Sequence, residues 1–378
     1  MKIVQGKKIK NNNWEFDFDV SELKNPLVLI FGNRFLLEDK NIYQEIKNMF
    51  PEGHLVFGST SGEILSNNVF EGSITLTAIE FEKSTFVIKK ENILTHNKNA
   101  KQAGLSLIKQ FKHEGLKHLF IISEGSCVNG SDLIEGVEAE IKDDMFAITG
   151  GLCGDDARFE KTLASYNEQP KQGEIVGIGF YGESMEITFA NYGGWTPFGP
   201  VRTITKSEGN VLCEIDNTPA LDIYKKYLGE KAEQLPQAAL LYPLSVKAPG
   251  AERSIVRTIL NIDEQKNCMI LAGDVPVGSK VQLMMATVDN IANGALKAAG
   301  LAMENRKNKP ELGILVSCVG RKLVMDQRVE EEIEEVQHVI GKEIPISGFY
   351  SYGEMAPFTT NKKCILHNQT MTLTLISE

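Results

Sequence analysis

The side chains best suited to chemistry in this 378-residue chain gather in short glycine-bounded stretches. Cys153 lies in Gly150-Gly151-Leu152-Cys153-Gly154-Asp155-Asp156, closed by Thr162, where a tight turn could expose a nucleophilic thiol. No histidine stands near it in sequence to act as base, and cysteine's ordinary role as a small apolar residue competes with that reading. Asp155 and Asp156 could hold a metal or a ligand amine, or could close the loop through Asx hydrogen bonds. Arg321 leaves a strand end in Ser317-Cys318-Val319-Gly320-Arg321. Its fork suits a carboxylate or propionate, and a structural ion pair, for instance with Glu354, is the plain alternative. Tyr350, Tyr352 and Glu354 share Gly348-Phe349-Tyr350-Ser351-Tyr352-Gly353-Glu354, a stretch that can set aromatic walls and a carboxylate around a small molecule, with one tyrosine expected in the core. His367, followed by Asn368, is a candidate haem axial ligand, metal ligand or hydrogen-bonding strut.

Two of these stretches and Gly58-Ser59-Thr60-Ser61-Gly62-Glu63 read as equivalent loops, each ending an apolar strand. The elements that present them repeat as well. Leu27–Phe31, a helix through Ile42 and Ile46, and His54–Phe57 form one strand-helix-strand piece. A second runs from Leu119 through Leu133 and Val137 to Ile148, and a third from Leu312 through Ile333 and Val336 to Ile346. Segments 73–80 and 84–90 suggest a hairpin, followed by a helix over about 98–113. Residues 1–26 read as an edge arm. The run Gly193–Pro200 predicts a boundary near 200, between domains 27–200 and 201–378. Beyond it, Pro219 opens a helix, strands are expected at about 238–243, 254–260, 268–272 and 280–285, and a helix spans about 287–305. The fold class expected is α/β (α+β): duplicated layered domains with mixed, largely antiparallel sheets covered by helices.

Composition narrows the function. The formal charge is −10, and no basic block appears, which disfavours nucleic acid and anionic membrane as partners. The six cysteines show no C-x-x-C spacing and the start lacks a signal-like segment, which points to a reducing cytoplasm with cysteines as core residues. Glu330–Glu332 with Glu334-Glu335 reads as the solvated face of a helix. Phosphate-loop, nucleophile-elbow and zinc-helix motifs are missing, so a non-enzyme is expected.

The chain resembles the FIST family of bacterial sensory proteins, built of an N-terminal and a C-terminal FIST domain. The resemblance is carried by Gly151-Leu152-Cys153-Gly154-Asp155-Asp156 with Thr162, Gly194-Trp195-Thr196-Pro197-Phe198-Gly199-Pro200 and Asn217-Thr218-Pro219-Ala220. It continues through Ser317–Arg321, Gly348–Glu354 with Pro357, and His367-Asn368-Gln369-Thr370. It implies a signal-input module for an amino acid or related metabolite, acting through a separate partner. In some members it implies haem b and nitric oxide sensing, with a histidine kinase or cyclic-di-nucleotide enzyme downstream. The leading expectation is a pocket where the glycine loops meet, with Arg321, Tyr352 and Glu354 orienting a polar ligand and Cys153, Asp155, Asp156, Tyr350, His367 and Asn368 around it. The alternatives are a haem sensor using His367 and an enzyme using Cys153.

Overall fold

The computed structural model describes residues 1–10, 12–141, 146–358 and 363–378. Apolar residues alternate along its central strands so that both faces are covered. Leu27, Leu29 and Phe31 point to one side, while Val28 and Ile30 meet Ile42 and Ile46 of the covering helix on the other. The same device recurs twice. Leu27–Gly32 pairs in parallel with His54–Ser59, Leu116–Ser123 with Ala147–Leu152, and Leu312–Cys318 with Ile346–Ser351. Each first strand also has an antiparallel neighbour: Ser73–Glu80, Glu174–Tyr181 and Met371–Ser377. The sheets are therefore mixed and largely antiparallel.

The chain leaving each second parallel strand crosses to another sheet. Glu63–Leu65 joins Ile346–Ser351, Gly353–Pro357 joins Ala147–Leu152, and Ala164–Tyr166 joins His54–Ser59. This exchange is cyclic, so three copies of one unit close into a ring. Among the described residues it builds three six-stranded sheets. Their inner faces converge on one core that includes Phe31, Phe120, Ile122, Val316 and Phe349. The unit thus occurs three times, as the three glycine loops suggest. Its third copy escapes a simple reading because residues 196–285 are inserted between Glu186–Tyr192 and Val288–Met303.

That insertion is an eight-stranded antiparallel sheet with its own core around Ile204, Leu221, Tyr224 and Leu244. The structure is therefore a three-sheet body carrying a second lobe, and the predicted boundary near 200 falls within strand Thr196–Glu208.

Lys2–Ile9, within the expected edge arm, is a strand that pairs along its whole length with Ser73–Glu80. Several local expectations are corrected. Ser73–Glu80 and Thr85–Asn92 do not form a hairpin; they lie in different sheets, because the turn between them passes from the first unit to the second. Gln237–Leu241 is a 3-10 turn, not a strand. Cys213 and Cys268 are joined by a disulfide within the lobe, where cysteines in a reducing setting are expected as core residues. Among the described residues no helix is long and apolar enough to cross a membrane.

Candidate ligand-binding site

The glycine loops hold one another through their backbones, beside a 360 Å³ cleft lined by Ser61 of the first loop and Asp156 of the second. The Ser61 N–H donates to the Tyr350 carbonyl at 2.8 Å, and the Tyr350 N–H returns a bond to Gly62 at 2.9 Å. The Gly154 N–H donates to Ser59 at 2.9 Å, and the Tyr352 N–H to Leu152 at 3.1 Å. A Cβ on Gly154 would stand 2.3 Å from Ser61 Oγ, and one on Gly348 2.0 Å from the Leu315 carbonyl. Glycine is required here so that backbone can approach backbone, not so that a ligand can enter.

The residues expected in a binding site are distributed accordingly. Cys153 is fully buried, and burial, followed by the charge of Glu124, pushes its thiol far above the ordinary range; an exposed nucleophile is excluded there. Asp155 is buried 3.2 Å from Arg34 Nε and takes the Lys161 N–H, so it closes its own loop. Asp156 pairs with Arg158 and borders a 360 Å³ cleft that Lys322 also lines. Among the described residues no group of three or more His, Cys, Asp or Glu side chains could hold a metal ion.

Arg321 is buried in a network made by its own unit. Its Nε and Nη2 donate to Glu332 Oε2 at 3.0 and 2.7 Å, and it also donates to the carbonyls of Gly193 and Ile291. The Tyr350 hydroxyl donates to Glu332 Oε1 at 2.5 Å and Ser317 Oγ donates to the same oxygen at 3.2 Å. Arg321 and Tyr350 therefore have no face free for a ligand. The partner is Glu332 and not Glu354, which corrects both the expected ion pair and the reading of the glutamate run as wholly solvated.

Glu354 sits apart, buried, accepting from Ser351 Oγ at 2.6 Å and from the Thr370 N–H and Oγ1 at 3.1 and 3.0 Å. Burial pushes its carboxyl up to about 8. Glu63, its counterpart in the first loop, accepts from Thr60 and Ser73, both at 2.5 Å, and burial pushes it to about 8 as well. In both loops the donor hydroxyl lies three residues before the glutamate.

His367 is also buried. Its Nε2 donates to the Ala356 carbonyl at 3.0 Å, and burial foremost lowers its pKa to about 4, so it is a neutral strut. Asn368 is buried with its amide unpaired by protein groups and lines none of the cavities described here. No histidine lines those cavities.

Tyr352 does reach a cavity. Its hydroxyl accepts the Phe159 N–H at 2.9 Å and its ring stacks on Phe159 at 4.3 Å. Both line a 340 Å³ space between the body and the lobe, bordered also by Cys127, Asn129, Asn210 and Gly273. Beside it on the same seam lies a larger cavity of 660 Å³. The body supplies helix Gly130–Glu138, whose first turn is capped by Asn129 Oδ1 accepting the N–H groups of Ser131 and Asp132, together with strand Cys364–His367. The lobe supplies Ala248, Ile255, Arg257 and Asp274.

Arg257 is the charged group that the sequence reading missed. Only 5% exposed, it donates through Nη1 to the Leu366 carbonyl at 2.8 Å and through Nε to the Asp274 carbonyl at 3.3 Å. Among the described residues no carboxylate lies within ion-pair distance of it. Burial lowers its pKa to about 10, with the charge of Asp274 opposing. The available signal was an arginine inside the apolar run Ile255-Val256-Arg257-Thr258-Ile259, a position that demands a polar partner.

Comparison with known proteins agrees with the tandem reading. The FIST N domain matches residues 26–218 and the FIST C domain residues 220–357, the join falling within the inserted lobe. The uncharacterized protein MJ1623 of Methanocaldococcus jannaschii is 21% identical over 343 residues, covering 82% of this chain. The match spans 63% of that relative's length, less than two thirds. Among solved structures, a chorismatase gives a TM-score of 0.35 at 8% identity, with all of both chains covered. A putative 2,3-dihydroxybenzoate-specific isochorismate synthase of Bacillus anthracis gives 0.13 at 11% identity, over 95% of this chain and 90% of that one. Likenesses this low carry no argument. With the two domain matches running in order along most of its length, the chain belongs to the FIST family.

Proposed function

We propose that the chain is a sensory module that binds a small ligand, an amino acid or related metabolite, in the seam between the three-sheet body and the inserted lobe. One observation carries the site: a 660 Å³ cavity with apolar walls and a buried guanidinium, closed by two parts that have separate cores. Its volume falls within the roughly 300–1,000 Å³ of small-molecule sites. A ligand that touches both parts favours whichever arrangement of them it fits best, and this is how occupancy becomes a signal. Output through a separate partner, a histidine kinase or cyclic-di-nucleotide enzyme, belongs to the same proposal and rests on the family alone. A cytoplasmic setting is part of the proposal as well, and it rests on the cysteine spacing and composition. A thermal-shift screen of amino acids and related metabolites against the full chain tests the site. Compounds that raise the melting temperature should lose their effect on Ala248→Trp, which fills the cavity from the lobe side. Hits that act equally on both proteins would place the site elsewhere.

A further inference from the structure

Arg257 also bears on the chemistry of the ligand. Of the charged residues lining the large cavity, it alone is buried; Lys101, Glu135 and Lys363 are exposed, and Glu138 and Asp274 are half-buried. Glu135 is paired with Lys101, and Glu138 accepts the Cys364 N–H at 2.8 Å, so these carboxylates are already engaged. Arg257 has carbonyl partners on Nε and Nη1, and among the described residues it has no carboxylate within ion-pair distance and no hydrogen-bond partner on Nη2. Ser131 lines the same cavity with its Oγ buried and unpaired. A guanidinium held out of water is best satisfied by a planar anion that takes its remaining N–H groups.

Resting on the reading of this seam as the binding site, we propose that its ligand is an organic acid with an apolar body, whose carboxylate pairs with Arg257 while its body lies against Ile134, Ile255 and Leu366. A single negative charge fits better than a phosphate dianion. The N–H groups that open the neighbouring helix are already capped by Asn129, and the cavity carries three carboxylates of its own, from Glu135, Glu138 and Asp274. Arg257 also bridges lobe to body through the Leu366 carbonyl, so an acid bound to it contacts the seam at the bond that spans it.

Isothermal titration calorimetry on the full chain with 1-naphthylacetate and its neutral amide, 1-naphthylacetamide, separates charge recognition from simple filling of the cavity. The acid is expected to bind at least tenfold more tightly than the amide, and Arg257→Met to remove that difference. Equal binding of acid and amide, both lost in Ala248→Trp, overturns the acid inference and leaves the seam as the binding site. Binding of neither also overturns it, and the metabolite screen on wild type and Ala248→Trp then judges the seam by itself. Should Arg257→Met fail to fold, the acid-to-amide ratio on the unmodified chain decides.

Discussion

Arg321 and Arg257 are both buried guanidiniums, one in the three-sheet body and one at the seam with the lobe, and their partners differ in kind. Arg321 meets the carboxylate of Glu332, which in turn takes hydroxyls from Tyr350 and Ser317. Among the described residues Arg257 hydrogen-bonds main-chain carbonyls alone, and it borders a cavity. Burial alone therefore does not distinguish the two; what differs is the carboxylate that Arg321 meets and Arg257, among the described residues, does not. The same contrast holds between regions. The glycine loops are joined by reciprocal backbone bonds beside a 360 Å³ cleft, whereas the seam keeps a larger open volume between two separately cored parts.

The largest effect should come from breaking the closed network. Arg321→Ala leaves Glu332 buried and unpaired and is expected to cost about 3–5 kcal/mol in denaturant unfolding. Replacing the pair together, Arg321→Met with Glu332→Leu, should recover much of that loss. A cost of only a few tenths for the single change would erase the distinction between the two arginines. Arg257→Met removes hydrogen bonds to two carbonyls and also relieves a buried charge. Its stability cost should stay within about 2 kcal/mol, measured the same way, while ligand affinity falls at least tenfold.

A smaller effect sharpens the picture of the joined loops. Glu63 and Glu354 titrate near 8 in the fold against an ordinary value of 4.5, so the folded state holds more protons than the unfolded chain between those limits. Their contribution is fully present below about pH 4.5 and is lost as pH rises through about 8. Stability measured across that window should decline less steeply in Glu354→Gln than in the unmodified chain. Least in energy, but quick to measure, is thiol labelling. Iodoacetamide at neutral pH should modify exposed Cys127 well before buried Cys153, as peptide mass spectrometry would show. Faster reaction at Cys153 would mean that its loop opens.

The equivalence of the loops was legible in the sequence because each needs glycine at a backbone crossing and a carboxylate beside it. The cyclic strand exchange was not, since Glu63–Leu65 pairs with a strand nearly three hundred residues away, and local pattern carries no such register. Glu332 was partly legible. It shares a helical face with Val336 and Ile340 at four-residue spacing, yet the adjacent glutamates dominated the reading. Tyr352, expected as an aromatic wall where the glycine loops meet, lines the smaller cavity between body and lobe. Arg257 carried the weakest signal, because its importance depends on a lobe-to-body contact that no single stretch of sequence encodes.

Hydrogen exchange read by mass spectrometry, on the full chain with and without the compound that stabilises it most, tests the central claim most directly. Binding at the seam predicts slowed exchange in residues 130–138 and 248–257, with the loops at 58–63, 150–156 and 348–354 unchanged. Protection confined to those loops, with the seam unaltered, would contradict the account.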